Sequence, residues 1–210
     1  MAKLVLVRHG ISEYNAKGMW TGWDDPDLLP EGREQAKKAG EEIKDIHFDI
    51  AYTADLKRAK QTLDEILKSI NQQHIKTIIA PETKERNYGI FTKKNKWQVK
   101  EEVGEEEFQK IRRSWDYQPE GGESLAQVNE RFWNYYQKEI LPRLKKGENI
   151  LITSSGNAFR ALIKSLENLT EEQISKLEFG IGEAYVYDID ENGKAVNKTV
   201  RNKNPLAGKQ

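Results

Sequence analysis

Four consecutive branched apolar residues, Leu4-Val5-Leu6-Val7, stand near the start of the chain between Lys3 and Arg8. An apolar run without polar alternation reads as a strand covered on both faces, the situation of a parallel sheet sandwiched between helices. The run ends on Arg8-His9-Gly10, and Ser12 and Asn15 follow within a few residues. Open α/β sheets carry their reactive groups just past the carboxyl ends of such strands. A neutral imidazole placed there is a nucleophile near pH 7, and a guanidinium fork holds two phosphate oxygens. A glycine lets backbone N–H groups approach the same anion. These residue types in this order point to phosphoryl chemistry. The alternative is a strand end followed by a chance basic pair, and the tripeptide alone does not separate the two.

The rest of the chain alternates in the same way. Pro30-Glu31-Gly32 opens a segment through about Ile46 in which Ala36, Ala39, Ile43 and Ile46 recur at helical spacing, with the proline suited to a first turn. Phe48 to Tyr52 reads as a strand, and Leu56 to Ile70 as a helix with Ala59, Leu63, Ile66 and Leu67 inward. Lys76 to Ala80 reads as a further strand. From Pro81 to about residue 120 the pattern weakens to a Lys- and Asn-rich loop and short helical stretches around Trp97–Val103 and Phe108–Trp115, which reads as an insertion over the sheet. Ser124 is the expected cap of a helix presenting Leu125, Val128, Phe132 and Tyr135 on one face. Asn149 to Ser154 is then a strand, Asn157 to Glu167 a helix, and Ala184 to Ile189 the last strand, followed by a turn at Glu191-Asn192-Gly193 and a polar tail. The expectation is a single α/β domain over residues 1–210, a three-layer α/β/α sandwich with a mainly parallel sheet.

Charge and cysteine usage narrow the partners. Lys plus Arg and Asp plus Glu each number 34, so bulk electrostatics favours neither nucleic acid nor a membrane surface, and any anion must be recognised by a local cluster. The chain has no cysteine, hence no disulfide framework or thiolate metal site. His47 and His74 lack metal-ligand spacing, so no metal is expected. With no signal-peptide pattern and no bilayer-length apolar stretch, the expected compartment is the cytoplasm.

Several motifs in order carry a resemblance to a known family. Arg8-His9-Gly10-Ile11-Ser12-Glu13-Tyr14-Asn15, then Trp20-Thr21-Gly22-Trp23, Tyr52-Thr53 through Leu56-Lys57-Arg58-Ala59, Glu85-Arg86-Asn87-Tyr88-Gly89, Lys96 and Arg112-Arg113-Ser114-Trp115-Asp116 resemble the cofactor-dependent phosphoglycerate mutases of the histidine phosphatase superfamily. The resemblance implies that His9 is phosphorylated during turnover, that Arg8 and Arg58 clamp the transferring group with help from Asn15 and from backbone donors near Gly22 and Gly156, and that Ser12, Thr21 and Asn157 also bind substrate. It implies Glu85 as acid and base, and Arg86, Tyr88, Lys96, Arg112 and Arg113 as the binders of a small phosphorylated three-carbon acid. It further implies priming by 2,3-bisphosphoglycerate, a monomer or small homo-oligomer, and a C-terminal lid. Taken singly, Arg58, Glu85 or the Arg112-Arg113 pair would pass for surface charges.

One departure bears on activity. The family carries a second histidine in a His-Gly-Asn turn after its late strand, and here Ser154-Ser155-Gly156-Asn157 puts Ser155 at that place, with no other histidine than His9, His47 and His74. A serine hydroxyl is shorter and uncharged. The resemblance therefore implies a catalyst impaired at Ser155, whether that serine is natural or introduced. The rival readings are a phosphomonoesterase of the same fold, in which water takes the phosphoryl group, and a non-catalytic binder of phosphorylated metabolites.

Overall fold

The computed structural model describes residues 1–204 and places the initial apolar run inside a six-stranded sheet of order β3-β2-β4-β1-β5-β6. β1 spans Ala2–Arg8, β2 Ile50–Thr53, β3 Lys76–Ile79, β4 Ile150–Ser154, β5 Ala184–Ile189 and β6 Ala195–Arg201. β1 pairs in parallel with β4, which pairs in parallel with β2 and so onward to β3. β5 and β6 complete the sheet antiparallel on the other side of β1. The sheet is mainly parallel, as the unalternated run predicts.

The two faces of β1 feed two cores. Leu4 and Leu6 join Tyr52, Ile150 and Ile152 under one helical layer, while Val5 and Val7 join Ala51 and Leu151 under the other. The period-two reversal of side chains along a strand makes both faces apolar, which is why the sequence cannot alternate there. The first layer is built by α5 (Leu125–Tyr135), the short α6 (Leu141–Lys145), α7 (Gly156–Leu166) and α8 (Glu171–Lys176), the second by α2 (Pro30–Glu42) and α3 (Lys57–Ser69). A one-turn helix, α1 (Glu13–Ala16), follows the Arg8-His9-Gly10 segment. Ser124 caps α5 through Gln127 in a reciprocal capping box. Between α5 and α6 the helix passes through a π-helical stretch, Tyr136–Ile140, ahead of Pro142, whose ring and missing N–H interrupt regular bonding. Tyr136, one helical turn past Phe132, is fully buried, whereas the expected Tyr135 is only partly so.

Residues 81–120 hold α4 (Lys96–Arg113), which is two helical pieces joined at Gly104, where φ is 81° and the chain bends. This segment packs on its own cluster of Trp20, Tyr88, Phe91, Val99, Phe108 and Ile111 beside the carboxyl ends of the strands. Two elements depart from expectation. β6 occupies what reads as polar tail, because an edge strand with most of its side chains exposed needs no apolar signal. α2 ends at Glu42, so Ile43 caps it and Ile46 packs from the following turn, not from the helix.

Candidate active site

A cleft opens past the carboxyl ends of β1 and β4, lined by the strand ends, the N-terminal turns of α3 and α7, and both ends of α4. His9 sits at its floor, 3% exposed, with its backbone N–H donating to Ser154 O at 2.9 Å as an extension of the β1–β4 ladder. The ring is oriented from both sides. Nδ1 lies 2.7 Å from Gly10 O, and Arg58 Nε donates to Nε2 at 3.3 Å. A carbonyl can only accept, so the hydrogen belongs on Nδ1 and the lone pair on Nε2. Burial, then Arg58 and Arg8, hold the His9 imidazole well below its ordinary pKa of 6.5, against the opposing pull of the Gly10 carbonyl. At neutral pH the ring is therefore unprotonated, with its lone pair on Nε2.

Arg58 is fully buried on the first turn of α3 and anchored by Asp24 O and Gly22 O, each at 2.8 Å. Burial lowers its pKa to about 10, which leaves it cationic. Arg8 donates through Nη1 to Phe179 O at 2.5 Å, and its buried Nε has no partner. Gly156, at the N-terminus of α7, packs on this guanidinium, and a Cβ there would fall 3.1 Å from Arg8 Cζ. An unsatisfied buried donor beside a helix N-terminus fits a bound anion. Thr21, Gly22, Glu85, Tyr88, Lys96, Arg112, Arg113 and Asn157 also line the cleft, as does Asn15, whose Oδ1 accepts from Ser12 Oγ at 2.8 Å so that its amide NH₂ stays available. Lys96 is pushed down to about 8, chiefly by burial and then by Arg8 and Arg112. In all, six cationic side chains face two carboxylates in the cleft.

Three of the expected site residues do not reach the cavity wall. Ser12 is buried and acts through Asn15. Arg86 is 1% exposed and donates to Glu123 O, Ile111 O and Tyr117 O, so it ties the insertion together and does not hold a ligand carboxylate. Ser155 is fully buried at the cap of α7, and its Oγ has no hydrogen-bond partner. Gly10, expected to let backbone N–H groups approach the anion, donates its own N–H to Thr62 Oγ1 at 3.2 Å. A Cβ on Gly10 would lie 2.1 Å from Gly32 O, so its lack of a side chain serves backbone packing.

Other residues become visible only in three dimensions. Arg160 and Glu178 line the cleft. Arg160 could have been found from the sequence, since it follows Gly156 by one helical turn. Trp23 Nε1 and Arg131 Nη2 both donate to Glu85 O, at 2.7 and 3.0 Å, and Arg131 is itself fixed by Glu123 at 2.9 Å. Glu85 Oε1 accepts from Arg86 N–H at 2.6 Å. The backbone of Glu85, the expected acid, is therefore held by donors from Trp23 and Arg131. Among the described residues no cluster of His, Cys, Asp or Glu could hold a metal ion, and no helix is long and apolar enough to cross a membrane.

Comparison with known proteins adds three findings. The family description "Histidine phosphatase superfamily (branch 1)" matches residues 4–202. A 2,3-bisphosphoglycerate-dependent phosphoglycerate mutase of Parvibaculum lavamentivorans is 44% identical over 197 residues, 93% of this chain and 94% of that protein. A phosphoglycerate mutase of Schizosaccharomyces pombe is 43% identical over 197 residues, 93% of each. Among solved structures, Bacillus stearothermophilus YhfR superposes with a TM-score of 0.82 at 21% identity over 93% of this chain and 94% of that one.

Proposed function

Because the chain belongs to the cofactor-dependent phosphoglycerate mutases of the histidine phosphatase superfamily, we propose that it interconverts 2-phosphoglycerate and 3-phosphoglycerate through a phosphohistidine at His9, in the cytoplasm. The observation that carries the reading is the fixed imidazole, with Nδ1 on Gly10 O and Nε2 facing Arg58. Primed His9 gives its phosphoryl group to the free hydroxyl of the bound phosphoglycerate: the N–P bond breaks as the new P–O bond forms, and Glu85 takes the hydroxyl proton. In the return step Nε2 attacks the other phosphorus, an N–P bond forms as that P–O bond breaks, and Glu85 delivers the proton to the freed oxygen. Arg8 and Arg58 neutralise the equatorial oxygens, and cost no reorganisation because both are already anchored. Lys96, Arg112 and Arg113 hold the substrate carboxylate. The unpartnered Arg8 Nε and the six cations of the cleft fit 2,3-bisphosphoglycerate, which supplies the phosphoryl group that primes His9.

Ser155 weakens this catalyst. Its hydroxyl is buried off the cavity wall, so one donor to the transferring group is missing, a loss worth roughly a hundredfold or more in rate. Ser155→His should recover about that factor in steady-state turnover, and a variant no faster than its parent overturns the assignment of the defect. The reading as a whole is tested by incubating the protein with 2,3-bisphosphoglycerate and 3-phosphoglycerate. Expected are acid-labile phosphate on the wild type, none on His9→Asn, and 2-phosphoglycerate by phosphorus NMR. Free phosphate without isomerisation marks a phosphatase instead.

A further inference from the structure

The chemistry above leaves one carboxylate of the cleft without a task. Glu178 lines the cavity together with Arg112, Arg113 and Arg160, and forms an ion pair with Arg113. It does not hang there loosely. Its backbone carbonyl accepts from Tyr185 Oη at 3.0 Å, and the next carbonyl, of Phe179, accepts from Arg8 Nη1 at 2.5 Å. The Phe179 ring is buried and stacks on Tyr185 with centroids 4.1 Å apart. A fixed segment thus delivers an acid to a guanidinium that faces the cavity, and the Arg113 side chain keeps only 17% of its exposure.

A ligand with one phosphoryl group can be held by His9, Arg8 and Arg58 with this ion pair undisturbed. A ligand with a second acidic group at the far side of the cleft must either displace the Glu178 carboxylate from Arg113 or lie against it, and like charges brought together oppose binding. We propose that Glu178 is an internal counter-ion occupying, on Arg113, the place of the ligand's second acidic group, and that it sets the preference of the cleft between ligands with one acidic group and ligands with two. The proposal rests on the reading of the cleft as a site for a phosphorylated acid. The opposite role, a prop that keeps Arg113 in position to bind, predicts the reverse effect on removal.

Glu178→Gln removes the charge and keeps the size. Titration calorimetry on wild type and variant uses two probes, inorganic phosphate and 3-phosphoglycerate. With the charge gone, 3-phosphoglycerate should bind roughly three- to tenfold tighter, the scale of a partly exposed ion pair, while phosphate stays within about twofold. Glu178→Ala should move 3-phosphoglycerate in the same direction, which guards against an accident of the glutamine amide. Weaker 3-phosphoglycerate binding in both variants overturns the proposal in favour of the prop, and unchanged binding in both overturns it in favour of no role for Glu178 in selection. Equal tightening of both probes overturns it in favour of a general change of field. Failure of the mutase reading looks different, since isomerisation would then be missing while the selective shift in binding persists.

Discussion

Lys96 shows how a single side chain can be tuned by its neighbours. It stands at the start of α4 with Arg8, Arg112 and Arg113 around it. Burial first, and then Arg8 and Arg112, lower its pKa to about 8, with Glu85 pulling the other way. In the free protein its charge is therefore lost as pH rises through about 8, whereas an anion bound beside it restores the cation. Binding of inorganic phosphate at pH 9 should take up a proton, and the affinity should fall as pH climbs past 8. Lys96→Met should remove that pH limb and weaken binding near pH 7 by about tenfold, the worth of one partly buried charge-assisted contact. Calorimetry in two buffers of different ionisation enthalpy reads the proton directly, and identical heats in both would show that Lys96 does not change its charge when phosphate binds. The sequence reading located Lys96 but not its state, because a lysine's pKa is set by groups that are distant along the chain and adjacent only after folding.

Among the elements, what was legible and what was not divides along burial. Strand Ala184–Ile189 and the helix from Lys57 to Ser69 follow their apolar patterns closely, since each fills a core. The two helical stretches expected in the insertion are the two halves of α4. β6 and α8 escaped notice because one presents mostly exposed residues and the other is a six-residue helix with Ile174 as its buried residue. The same divide applies to the site. Motif residues at strand ends could be read off, but Arg131 on α5 could not, since nothing in its local sequence separates it from a surface arginine. Its position matters because it joins α5 to the backbone of Glu85 and Glu82 and is paired with Glu123. Arg131→Ala should lower kcat about ten- to a hundredfold with a smaller change in KM, because displacing Glu85, the acid and base proposed above, would harm the transition state more than ground-state binding. Arg131→Lys, which keeps the charge but not the fork, should recover part of the loss. Steady-state kinetics with a pH profile provides the check. A KM effect without a kcat effect would place Arg131 in substrate binding and not in the positioning of Glu85.

For the molecule as a whole, equal numbers of acidic and basic residues conceal an uneven distribution. The described cleft gathers six cations around a neutral histidine, so the unliganded fold resists adding a seventh positive charge. The consequence for stability has a definite sign. The unfolded chain protonates His9 near its ordinary value of 6.5, and the native state, with that pKa held well below by burial and by Arg58 and Arg8, does not. Below pH 6.5 the unfolded state therefore binds more protons, and stability falls with falling pH, approaching about 1.4 kcal/mol per pH unit from this group until the native imidazole also titrates. Carboxylates elsewhere contribute their own slope, so the measurement is a difference. Urea unfolding of wild type and His9→Asn, at half-unit steps from pH 7.5 to 5, should give curves that run parallel above pH 6.5, with the wild type losing stability relative to the variant below it. Saturating inorganic phosphate should suppress that relative loss in the wild type, because an anion against Nε2 offsets the repulsion by Arg58 and Arg8 and lets the folded protein accept the proton. Curves that stay parallel through pH 5 would mean that His9 titrates alike in both states, against the neutral imidazole that the proposed phosphohistidine chemistry calls for.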